Sequence, residues 1–527
     1  MIVKLLPELM IIKCRSLLPF FLGIGILLFQ YSALAQNIPV GASAFEDYTR
    51  RMQLTGSLDS TISFTVRPVL SIPLAIEDEN FTSIVGISRT STSLVTLLPF
   101  SWQQQYITHH PYNWNDGLMI PAKGYQTLAS GGIYAKVAFI SIQLRPEILF
   151  AENAEFKQYV SHSGQVDLPE RFGNKPYTKF SWGQSNIRVT AGPVSLGLSN
   201  ENLWWGPGMR NSLLMSNNAP GFKHLTLNTT KPIAIGIGNI EGQIVGGRLE
   251  ESQYTTAGTP DDWRYLSAMV VTYHPKWFPG LFLGLTRSFQ QYGKDERKFS
   301  DYFPLFQAFQ KKNTNEDSVE RDQLTSLFLR WMMTKSKAEV YFEYGLNDHS
   351  YNLRDFLMSP EHSRAYTIGF RKLVPLTKRD WNYMSIAFEL THMEQSIDRI
   401  VREAGEWYTH SQIIHGYTNQ GQVLGAGIGP GGNFQSLDIS WYKGLKRLGL
   451  QIERFEHNGD LANGLERGQW IDCGVGAVTD VPYKRILISG KLQGIQSYNY
   501  QWNTGINGTP NENVFNLKMQ LGIMYKF

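Results

Sequence analysis

The clearest pattern in the chain lies at its C-terminal end. From position 515 onward every odd residue is apolar: Phe515, Leu517, Met519, Leu521, Ile523, Tyr525 and Phe527. Asn516, Lys518, Gln520, Gly522 and Lys526 fall between them. A two-residue period puts the two sets on opposite faces of a β-strand. The alternation recurs upstream. Val340, Phe342, Tyr344 and Leu346 interleave with Glu339, Tyr341 and Glu343, and Met384, Ile386, Phe388 and Leu390 with Ser385, Ala387 and Glu389. Further on, Leu437, Ile439 and Trp441 frame Asp438 and Ser440, while Leu448, Leu450 and Ile452 alternate with Gly449, Gln451 and Glu453. Glutamates are expensive against lipid and acceptable in a polar lumen. The pattern predicts an all-β fold, a transmembrane antiparallel β-barrel whose greasy face meets outer-membrane lipid. The last strand ends on an aromatic, Phe527, in the manner of the terminal signal read by the barrel-assembly machinery.

The connections sharpen this. Short ones (His274–Gly280, Thr334–Lys337, Lys443–Arg447, Val481–Lys484) alternate with long polar ones (Ala151–Phe180, Gln290–Asp322, Asn347–Ser363, Thr391–Asn433, Gln496–Asn511). Short periplasmic turns and long outer loops are the habit of outer-membrane barrels. Counting backward from the C-terminus places strands near 513, 485, 469, 448, 434, 382, 364, 338, 323, 281, 264, 240, 222, 193, 182, 141, 130 and 94, which is about 18 strands with both ends periplasmic. Residues 91–527 are assigned to the barrel. A barrel this wide leaves a channel unless loops plug it. Thr391–Asn433, with its glycine-dense Gly421–Gly432, is the best plug candidate.

The N-terminal region reads differently. Lys13 and Arg15 precede the apolar run Leu17–Phe29, and Ala33-Leu34-Ala35 is a small-x-small cleavage site, so residues 1–35 are expected to be a cleavable signal peptide directing the chain to the outer membrane of a Gram-negative bacterium. Met10 is an alternative start. Residues 36–90 are assigned to a small periplasmic segment. Within it Phe45, Tyr48, Arg51, Met52 and Leu54 have helical spacing, and Gly56 ends the helix. Thr61–Leu70 reads as a short extended stretch.

Composition agrees. The chain of 527 residues is 13% aromatic, has 48 glycines and is only 18% charged. The net charge is +4, and Lys4, Lys13 and Arg15 against Glu8 supply about half of it. That argues against nucleic-acid binding. Of the two cysteines, Cys14 falls in the leader, leaving Cys473 without an internal disulfide partner.

One stretch suggests chemistry. In Glu201–Pro220 (ENLWWGPGMRNSLLMSNNAP), Trp204 and Trp205 run straight into Gly206-Pro207-Gly208. Two glycines around a proline make a sharp, stiff structural turn. Flat aromatics beside Arg210, Asn217 and Asn218 suit sugar rings, whose C–H faces stack and whose hydroxyls need hydrogen-bond partners. The bland alternative is an aromatic girdle or packing cluster at a hairpin end.

LWWGPG at 203–208 resembles the signature of the Wzi family of capsule-assembly outer-membrane proteins. Ile244–Leu249 (IVGGRL) resembles the family's glycine-pair strand, Phe299–Phe306 (FSDYFPLF) its aromatic loop, and Trp407–Asn433 its long loop. The likeness runs from about residue 45 to 527. It implies an 18-stranded barrel, a lumen plugged by loops, and a lectin-like role in holding capsular or extracellular polysaccharide at the cell surface. The family's periplasmic helical bundle is reduced here to one expected helix near 44–55. On this reading Trp204, Trp205, Trp407, Tyr408 and Tyr417 offer stacking faces. Arg210, Asn217, Asn218, Arg248, His410, His415, Asn419 and Gln420 donate hydrogen bonds or pair with acidic sugars. The competing reading is that these residues pack the plug against the wall.

No metal or cofactor is expected, and the barrel is expected to be a monomer. An enzyme is the rival class, but Gly-x-Ser-x-Gly and His-Glu-x-x-His are absent from the sequence. His109-His110 followed by Asp116 reads as a polar loop or an interfacial pair, and Glu77, Asp78 and Glu79 as a solvated loop. A porin or channel for solutes or oligosaccharides is the second rival.

Overall fold

The computed structural model describes residues 39–69, 95–159, 166–254, 263–295, 302, 321–347, 361–377, 381–395, 405–503 and 512–527. The expected signal peptide and the Glu77–Glu79 loop lie outside these residues. So does the expected aromatic loop Phe299–Phe306, apart from Tyr302.

The wall is a closed antiparallel barrel of 18 strands. Val95–Ile107 closes it, pairing with Gly124–Val137 on one side and with the terminal strand Val514–Tyr525 on the other. The strands expected near 281, 338, 364 and 382 begin at Leu281, Ala338, Arg364 and Asn382. The expectation drifts most on the early side, where the strands placed near 130 and 182 begin at Gly124 and Tyr177. There three wall strands are each broken in two: Ile140–Leu144 with Glu147–Ala151, Tyr177–Ser181 with Asn186–Ala191, and Lys223–Thr229 with Ile233–Ala234, the last two segments both pairing with Gly238–Leu249. Pro146 lacks an N–H for the ladder. Opposite it Gly183 has φ +52°, and a Cβ there would stand 2.6 Å from the Arg145 carbonyl. The interruption hides the period-two signal.

The two faces of the wall are as the alternation predicts. On the last strand Phe515, Met519 and Leu521 are exposed while Asn516 and Lys518 are buried on the inside. Glu339, Glu343, Glu389 and Glu453 all turn inward and are fully covered. Among the described residues no helix is long and apolar enough to cross a membrane.

What covers the inward glutamates is chain entering from both ends. From the short-turn end comes the helix Ser43–Leu54, within two residues of the expected span. It ends as Gly56 predicts: Gly56 has φ +79°, its N–H bonds to the Gln53 carbonyl, and the Ser57 N–H bonds to that of Met52, a Schellman arrangement. The helix sits inside the wall. Phe45, Tyr48 and Met52 pack on Leu445 and Leu487, which belong to short-turn ends of the strands. Arg50 and Arg330 share Glu339, at 2.8 and 2.7 Å. Asp47 pairs with Arg371 of the wall and with Arg51. Burial alone pushes the Asp47 carboxyl up, but Arg371, Arg51 and Arg447 outweigh it and hold the group well below the usual carboxylate range.

Candidate functional site

From the long-loop end the connection 200–222 dives into the lumen. Trp204–Trp205 form a two-residue strand that pairs with Val66–Arg67 of the N-terminal segment. The Gly206 N–H donates to the Thr65 carbonyl at 2.8 Å, and the Trp205 N–H to that of Met215 at 3.1 Å. The two plugs are thus joined by backbone hydrogen bonds in mid-barrel. The turn that follows needs its glycines. Gly206 has φ +122°, and a Cβ on Gly208 would lie 1.8 Å from the Asn211 carbonyl. The consecutive N–H groups of Met209, Arg210 and Asn211 then converge on the Glu389 carboxylate at 2.6 to 3.0 Å, and the Tyr341 hydroxyl donates to the same group at 2.7 Å. Three successive N–H groups around one carboxylate make a nest clamped to the wall.

The expectation of open stacking faces does not hold. Trp205 is fully buried, with its indole N–H on Gln243 at 3.0 Å. The guanidinium of Arg67 covers Trp204 at 4.4 Å. Trp407 is buried and donates to the Ser363 carbonyl. Tyr408 stacks on Tyr417, and its hydroxyl donates to the Leu213 carbonyl at 2.7 Å while accepting from the Ala426 N–H at 2.8 Å. Trp205, Trp407, Tyr408 and Tyr417 join Leu213, Leu214, Val423 and Leu424 in the largest apolar cluster among the described residues, which lies in the lumen. Apolar side chains on two long loops find each other there, out of water.

Most of the expected polar groups are committed as well. Asn217 donates to the Asn115 carbonyl and Asn218 to that of Val423. Asn419 bridges the Pro220 carbonyl and the Glu250 N–H. His415 lies between the Tyr292 hydroxyl, 2.8 Å away, and Glu251, 3.2 Å away. Buried amides must be satisfied, and these are satisfied by neighbouring loops.

A smaller set stays accessible. Arg248 is exposed at the long-loop end, paired with Glu250 at 2.9 Å and lying over the half-buried Trp263 ring at 5.0 Å. Gln420, bonded to Lys179, and His410 are half-buried. Arg210 is half-buried too, but points inward to Glu453. Sequence reasoning missed Trp263 and the partners that clamp the plug, Arg50, Arg67 and Glu389 above all. The inward face of Glu389 was readable from alternation, but its partners lie 178 to 180 positions away in the chain.

His109 and His110 lie in a bend after the first strand with their Nδ1 atoms 3.0 Å apart, and His110 faces Asp472 at 3.8 Å. Among the described residues no group of three or more His, Cys, Asp or Glu is placed to hold a metal ion.

The profile of the capsule assembly protein Wzi family matches residues 126–494, well over half of the chain. The chain belongs to the Wzi family. The Wzi fold is seen again in a solved structure from Escherichia coli, described as an outer-membrane protein involved in group 1 capsule assembly and a carbohydrate-binding β-barrel. It is 14% identical, with a TM-score of 0.62, over 94% of this chain and 100% of that one. Two other solved structures align more loosely. A BenF-like porin from Pseudomonas fluorescens is 7% identical with a TM-score of 0.40, over 82% of this chain and 99% of that one. OccAB2 from Acinetobacter baumannii is 9% identical with a TM-score of 0.42, over 82% and 98%. No curated protein sequence matches. As a Wzi-family barrel the protein belongs in the outer membrane and to capsule assembly.

Proposed function

We propose that the protein is a surface anchor for capsular or extracellular polysaccharide, exported by its signal peptide and held in the outer membrane by the barrel. The observation that carries this reading is the join between the plugs. Because Trp204–Trp205 pair with Val66–Arg67 in mid-lumen, the barrel offers an outer surface in place of an open bore. Support comes from family membership and from the E. coli relative described as carbohydrate-binding.

On this reading the expected site divides by depth. Arg248, His410 and Gln420, with Trp263 beneath Arg248, contact the polymer. An exposed guanidinium over an indole offers both a stacking face and an anion partner. Trp204, Trp205, Asn217, Asn218, Trp407, Tyr408, His415, Tyr417 and Asn419 position the loops that present those groups. Each contact is weak, and many along one polymer give retention.

Purified barrel in detergent would be tested for binding to polysaccharide from the source strain. Replacing Arg248 and Trp263 with alanine together is expected to weaken binding by about tenfold, the worth of one or two charge-assisted or stacking contacts. Undiminished binding by a folded double variant would contradict the rim assignment.

A further inference from the structure

The lumen is not filled everywhere. Between the first turn of the N-terminal helix and the wall lies a cavity of about 160 Å³. Since a water occupies about 30 Å³ of liquid, this is room for several waters or one sugar ring. Carboxylates and guanidiniums both line it, but they are unequally used.

The carboxylates are occupied. Asp47 is held by Arg371 and Arg51, and Asp438 by Arg447 at 2.5 Å and Gln451 at 2.9 Å. Glu389 receives the backbone nest and Tyr341. Glu46 faces Arg67 at 3.3 Å. The donors are in surplus. Nη2 of Arg50, Nε of Arg67 and Nε of Arg210 are buried with no partner, against a single unmatched acceptor in the lining, Oε1 of Gln451, and Arg50 and Arg67 are only 4% and 7% exposed. The helix start adds nothing to the excess: Ala42 supplies no side-chain cap, but Glu46 in the first turn lines the same space and accepts from the Gly41 N–H. Unmatched guanidinium N–H groups favour an acceptor-rich, negatively charged guest. Leaving such donors buried and unmatched is costly. Ser43, which is exposed, stands at the mouth.

We propose that this cavity is an anion site sized for one carboxylate-bearing sugar residue. The anion half rests on the donor surplus alone. The sugar half rests on the polysaccharide reading given above. The site is separate from the rim around Arg248: it lies within the lumen, beside the N-terminal helix.

The test uses the full barrel in detergent, with glucuronate, glucose and acetate titrated calorimetrically. Glucuronate is expected to bind saturably, and glucose not to bind. Arg50→Lys and Arg67→Lys each keep the charge and remove the unmatched nitrogen, but also give up part of the hold on Glu339 and Pro207 or on Glu46 and Gly208; read in barrels of unchanged heat-modifiable gel mobility, each is expected to weaken glucuronate by about tenfold. Ser43→Tyr fills the mouth without touching a buried pair and is expected to abolish binding in a barrel whose heat-modifiable gel mobility is unchanged. Acetate binding as tightly as glucuronate would leave a small-anion site and overturn the sugar half. No binding of either anion to the folded wild type, or binding unaltered in all three variants, would overturn the proposal. Polymer binding at the rim is read separately through Arg248 and Trp263, so either reading can fail without the other.

Discussion

On the wall, neighbouring side chains part company: Met519 faces lipid while Lys518 faces the lumen. In the plug, residues far apart in sequence come together, as when Tyr408 bonds Leu213 and Arg67 covers Trp204. The wall is stabilised from outside by lipid and by its closed ladder. The plug is stabilised as a soluble protein is, by a dry apolar cluster and polar groups that, outside the cavity beside the N-terminal helix, are mostly satisfied. One chain therefore contains a membrane protein and, within it, a core of globular type, and the two should respond to mutation by different rules.

The largest difference is expected at Trp205. Trp205→Ala would leave a cavity in the luminal cluster and cost the plug about 3–5 kcal/mol. The wall should still insert, because no lipid-facing residue changes. Proteolysis of the 200–222 connection in intact outer membranes would report the loosening. Next is the wall itself. Met519→Arg on the lipid side should cost about 2–4 kcal/mol of barrel stability, while Gln520→Arg, one residue on, should cost far less. Denaturant unfolding in lipid would compare them, and equal costs would break the two-face description. Glu389→Gln weakens the acceptor for three N–H groups and should cost about 1–3 kcal/mol, seen as faster amide exchange at Met209, Arg210 and Asn211. Smallest is Arg248→Ala, which should alter stability by less than about 0.5 kcal/mol while reducing polymer binding.

This division also explains what the sequence reveals. Strand starts such as Leu281, Arg364 and Asn382 were legible because one face of each strand is fixed by lipid, and that writes period two into the chain. The helix was legible from Phe45, Tyr48 and Met52 and its stop from Gly56. The site was legible only as a place. LWWGPG marks a special turn, but its tryptophans look the same in sequence whether they face sugar or protein. What decides is Arg67 above Trp204 and Gln243 beside Trp205, partners with no local signature. The broken strands around Pro146 and Gly183 were blurred because their ladder is interrupted. Trp263 went unnoticed because its partner Arg248 lies on the neighbouring strand.

The central claim is that this barrel retains polymer at its outer face. The most direct measurement is the ratio of cell-bound to released surface polysaccharide in a strain lacking the gene, with the wild-type gene restored as control. Polymer moving from cells to medium at constant total synthesis, and returning to cells on restoration, is the predicted result. An unchanged ratio would contradict the account.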